Sequence, residues 1–175
     1  LLLAFHMYPI SASDKPEDIE ESSGGHWMLG VVMGHTWLPA GEVELKGQKT
    51  LIIPSWGLDV GYQFNHTFGL TWANEITVQR YVISSDGDEL ERDNPFVTAI
   101  ELTVHLGNGF ALLAGPGVEL EKHKNFFIMR GGIEYELTFG DKWVFFPSAF
   151  YESKQGKFGA FTLGFGIGRQ FHRKH

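Results

Sequence analysis

From residue 27 to residue 171 the chain alternates large apolar residues with small or polar ones at period 2, in eight successive segments. Such alternation puts one set of side chains on each face of a β-strand. The first segment sets Trp27, Leu29, Val31, Met33 and Trp37 against Gly30, Gly34 and Thr36. The second sets Trp56, Leu58, Val60 and Tyr62 against Ser55, Gly57, Asp59 and Gly61. The third sets Phe68, Leu70, Trp72 and Ile76 against Gly69, Thr71, Ala73 and Glu75, and the fourth Phe96, Ile100, Leu102 and Val104 against Ala99, Glu101, Thr103 and His105. The second half repeats the scheme, ending on Phe161, Leu163, Phe165, Ile167 and Phe171 against Thr162, Gly164, Gly166 and Gly168. Only the seventh segment, 143–152, is blurred, by Val144, Phe146 and Phe150. No segment carries a helical period. Asn74 is the misfit: parity sends it to the apolar face in mid-strand, where a local bulge is the expectation.

The connections alternate as well. Asn65-His66-Thr67, Gly107-Asn108-Gly109 and Gly140-Asp141-Lys142 read as tight turns, whereas 39–50, 84–95, 122–125 and 153–157 are longer or more charged. Successive strands are therefore antiparallel neighbours. Closing the last strand on the first removes both edges. The expected fold is all-β, an eight-stranded antiparallel up-and-down β-barrel. Glycine, at 22 of 175 residues, and the abundant aromatics (15 Phe, 5 Tyr, 5 Trp) agree with it. The absence of cysteine excludes disulfides and thiolate chemistry. A formal charge of −7 without a basic stripe argues against nucleic acid as a partner.

Period 2 does not say which face points outward. Three features do. An eight-stranded barrel has room for side chains and little more, which suits the Gly, Ala, Thr and Ser set and not the Trp, Phe and Leu set. Every lysine falls in the leading linker, the loops and turns, or the tail, so neither strand face reads as water-facing. The aromatics gather at the two ends of the strands, as in the girdles of a membrane barrel. On these grounds, and on the last strand Gly164-Phe165-Gly166-Ile167-Gly168 with its terminal aromatic Phe171, the chain resembles the small outer-membrane β-barrels of the outer-membrane-protein A and X type. The stretch Gly115-Pro116-Gly117-Val118-Glu119 resembles strands of uncharacterised exported barrels. The resemblance implies a monomeric transmembrane barrel in the bacterial outer membrane. Its partners are then outer-membrane lipid and the barrel-insertion machinery, which reads the strand ending at Phe171. In this sequence His172-Arg173-Lys174-His175 follow that aromatic. Gly25-His26-Trp27 resembles the start of a lipocalin first strand, so the alternative is a soluble exported lipocalin-like barrel binding a small apolar ligand.

The organisation read from the chain is a signal-peptide remnant at 1–13, a flexible acidic linker at 14–25, the barrel at 26–171 and a basic tail at 172–175. By parity the lumen receives Asp59, Glu75, Glu101, Glu119, Glu121, Glu134, Glu136 and Glu152, with Arg130 as the one inward base. Buried carboxylates need partners, so a polar network around Arg130 is expected, with Glu119 on the neighbouring strand as its closest partner. Asp86, Asp88, Glu89, Glu91 and Asp93 make an acidic loop that could contact cations through oxygen ligands, without EF-hand spacing. The histidines are scattered, and neither a metal site, a cofactor nor a catalytic pair is expected. The function expected is that of a closed barrel with a structural or surface-binding, adhesive role rather than an enzyme or a bulk transporter.

Overall fold

The computed structural model describes residues 25–38, 51–85, 88–122, 124–155 and 158–172. The segments read as signal remnant, linker and basic tail fall outside this range, apart from Gly25 and His172. Eight antiparallel barrel strands run up and down: β1 (His26–Leu38), β2 (Leu51–Gln63), β3 (Phe68–Thr77), β6 (Phe96–Gly107), β7 (Phe110–Leu120), β8 (Phe126–Tyr135) continued by the short β9 (Leu137–Phe139), β10 (Trp143–Lys154) and β11 (Phe158–His172). Between β3 and β6 the chain leaves the barrel as a separate hairpin, β4 (Arg80–Ser85) and β5 (Asp88–Asp93). The acidic loop expected at 84–95 is thus largely the second arm of a hairpin. β11 pairs with β1 from His26↔His172 to Trp37↔Phe161, which closes the barrel.

Three tight turns lie at the end where β1 begins and β11 finishes; this is the turn end, and β4–β5 marks the opposite, hairpin end. Asn65 shapes the first turn by accepting from the backbone N–H groups of Thr67 and Phe68, both at 2.9 Å. In the second, Gly107, Asn108 and Gly109 all have positive φ, a run that only glycine and asparagine enter readily.

The apolar set points outward. Trp27, Leu58, Trp72, Leu102, Phe127 and Phe165 are all exposed, with Leu102 at 48%. Closed hydrogen bonding and an apolar exterior are what a bilayer demands of a β-structure. They rule out the soluble alternative, which needs this set inside. Asn74 also faces out, yet β3 has no bulge there: Leu58↔Asn74 and Asn74↔Thr98 are in unbroken register. The side chain is instead satisfied on the wall, where it accepts from Thr98 Oγ1 at 3.0 Å.

The blurred seventh segment resolves as β10, with Val144, Phe146 and Phe150 buried in the lumen. Glycines make the space. A Cβ on Gly30 would lie 2.9 Å from the Phe146 ring, and one on Gly166 would overlap the same ring. Gly132 likewise yields to Phe150. The glycine rows of β1 and β11 are therefore the seat of an aromatic plug, not empty space.

Candidate functional site

The lumen is built in layers. At the turn end His105 on β6 meets Gln63 Oε1 at 2.9 Å and Glu136 Oε2 at 3.5 Å, tying three strands together. Phe146 and the Ala111, Leu113 and Phe150 cluster form an apolar layer inside that.

Arg130 on β8 occupies the next layer. Its Nη1 donates to Glu75 on β3 at 3.1 Å and lies 3.5 Å from Glu152 on β10, and its Nε lies 3.1 Å from Glu101 on β6. The guanidinium stacks 4.1 Å from the centre of the Phe150 ring. One buried side chain thereby bridges carboxylates from three other strands across the bore. Such multiple contact is what a planar, permanently charged group with five donors can do. Asp59 and Glu134 add further inward carboxylates near the Arg130 level; Glu134 is 5% exposed.

Glu119 is not a partner of Arg130. It lies toward the hairpin end, where Arg92 Nη2 and Lys154 Nζ both donate to it. Arg92 comes from β5 and is fully buried. It also reaches Glu121 at 3.4 Å and the Lys124 carbonyl, and lies 4.7 Å over the Phe126 ring. Tyr81, from β4, is buried beside it, and that burial pushes its phenol up to about 12. Among the described residues, Arg92 and Lys154 thus join Arg130 as buried bases of the lumen. Arg92 was hidden in a segment read as loop, and Lys154 in a connection that turns out to be the last residue of β10. Their signal was present: Arg92 interrupts a run of acids, and Lys154 keeps the inward parity of Glu152.

The two charged layers, one around Arg130 and one around Glu119, fill the bore above the aromatic layer. Of the acidic loop residues, Asp86 lies outside the described range, while Asp88, Glu89 and Glu91 lie on β5; Asp93 accepts from the Asn94 side chain at 2.9 Å. Among the described residues no group of three or more histidine or acidic side chains is arranged to hold a metal ion.

No family model and no curated protein matches the chain. Solved structures do. Ail, the attachment invasion locus protein of Yersinia pestis, solved with the heparin analogue sucrose octasulfate, aligns with a TM-score of 0.57 at 14% identity, over 85% of this chain and 99% of Ail. The outer membrane protein OprG from Pseudomonas aeruginosa aligns with a TM-score of 0.52 at 11% identity, over 86% and 99% of the two chains. The N-terminal β-barrel domain of Pseudomonas aeruginosa OprF follows at 0.51 and 13%, over 84% and 99%. The fold is that of the small bacterial outer-membrane β-barrels, and the apolar exterior is that of a barrel in a bilayer.

Proposed function

We propose that this protein is an outer-membrane β-barrel with a closed lumen, acting as a structural or surface-binding element rather than a conduit. The observation that carries the reading is Arg130, bridging Glu75, Glu101 and Glu152 inside a bore already filled by Phe146 and Phe150. Eight strands leave room for side chains and no aqueous channel beside them. The second seal is the hairpin, whose Arg92 is drawn down onto Glu119.

Binding would then belong to the loops at the hairpin end. The Ail structure with a heparin analogue concerns a polyanion. Here the β5 arm of the hairpin contains Asp88, Glu89, Glu91 and Asp93, while Arg92 is turned away into the lumen. A polyanion would be repelled, so the partner fitting this surface is cationic.

Planar-bilayer recordings test the closed lumen. Purified, refolded protein should show no sustained unitary conductance above that of the bare bilayer. A steady open channel in the unmutated protein overturns the proposal.

A further inference from the structure

On the outer wall, Leu58, Asn74, Thr98, Val118 and Phe127 stand side by side in one register row. The next outward row toward the hairpin end holds Trp56, Ile76, Phe96 and Leu120, all exposed. Thr98 belongs to two features at once. It lines an outward groove of about 290 Å³ together with Ile100, Pro116, Val118 and Phe127, apolar except for the threonine hydroxyl. It is also the hub of a small polar chain: Trp72 Nε1 donates to its Oγ1 at 2.9 Å, and that hydroxyl donates to Asn74 Oδ1 at 3.0 Å. The Asn74 amide nitrogen makes only long contacts, 3.3 Å to the Leu58 carbonyl and 3.4 Å to that of Trp72.

A polar side chain on a lipid-facing wall is costly unless its groups are engaged. Asn74 donates only through these two long contacts, which a better-placed acceptor would outcompete, and it stands beside an apolar groove that water does not reach in a bilayer. Its depth is informative. Aromatic girdles sit at the membrane interface. Asn74 and Thr98 lie two residues inside the row of Trp56 and Phe96, about 7 Å of strand and roughly 5 Å along the normal at the usual tilt. With Trp56 and Phe96 taken as interfacial aromatics, that depth corresponds to the carbonyl linkages of acyl chains, just beneath the headgroups.

We propose that this seam is a binding site for one acyl lipid of the leaflet at the hairpin end. The ester or amide carbonyl of the lipid accepts from the Asn74 amide, and its chain lies along Ile100, Pro116, Val118 and Phe127. The site rests on the reading of the chain as a membrane barrel, and it is independent of whether the lumen is closed.

The test uses the whole barrel, folded into vesicles of phosphatidylethanolamine and phosphatidylglycerol, extracted in mild detergent and weighed intact by native mass spectrometry. One retained phospholipid per barrel is expected. Vesicles of the ether-linked analogues, which lack the carbonyls, should lower retention by the unmutated protein at least tenfold. The double variant Asn74→Leu with Thr98→Val should lose the ester lipid to the same extent. Val118→Trp, which fills the groove and keeps the polar chain, should lose both lipids. Equal retention of ester and ether lipids by the unmutated protein overturns the site. So does a lipid-free dimer, which would show that a second copy covers the groove. A protein that stays in solution without detergent would instead refute the membrane reading itself.

Discussion

Removing Arg130 would leave Glu75, Glu101 and Glu152 facing one another without the guanidinium each now touches. Breaking a buried ion pair from one side costs about 3–5 kcal/mol. Arg130→Met should destabilise the barrel on that scale, measured by urea unfolding in lipid vesicles. Adding Glu101→Gln should recover part of the loss, because one uncompensated charge is then gone. Adding Glu119→Gln should recover none and should cost more, since Glu119 is held by Arg92 and Lys154. Parity in the sequence places both glutamates in the lumen with Arg130. It gives no height along the bore. Arg130 is opposite Gly115 on β7 and Glu152 on β10, whereas Glu119 lies four residues further along β7, about 14 Å of strand. Strand adjacency points to Glu119, and register, which the sequence leaves open, decides for Glu152.

At the level of elements, the long alternating runs made every barrel strand legible, because period 2 sustained over ten residues has no other reading. The hairpin β4–β5 was not legible as such: residues 86–93 are mostly charged and carry no apolar alternation. The inward aromatics of β10 were ambiguous for a different reason. Whether Phe146 can enter a narrow bore depends on which residues face it, and those lie on β1 and β11. The glycine rows and Phe146 therefore form one packing unit, and this can be checked by a pair of substitutions. Gly166→Ala pushes a methyl group into the buried ring and should cost about 1–3 kcal/mol, the range for overpacking. Phe146→Leu shortens the side chain, so the double variant should be more stable than Gly166→Ala alone in the same urea titration. Independent, additive losses would mean that the ring and the glycines do not share a seat.

For the molecule as a whole, the even strand number puts His26 and His172 together at the turn end, and the hairpin and the longer connections at the other. Bacterial barrels keep short turns on the periplasmic side and longer loops outside, so the acidic hairpin should face the medium. The chain has no cysteine, so a single introduced thiol reports its own side of the membrane. Asn108 and Gln155 are poor positions, with φ of 53° and 49°, where a cysteine would strain the turn. Lys122, at the hairpin end, and Asp141, in the third tight turn, are both exposed. On intact cells a membrane-impermeant maleimide should label Lys122→Cys and leave Asp141→Cys untouched until the outer membrane is permeabilised. Reversed labelling would put the acidic surface in the periplasm and end the case for an extracellular cationic partner, while leaving the closed lumen intact. Full labelling of both thiols on intact cells would mean that no membrane separates the two ends, and the apolar belt would then need another solvent.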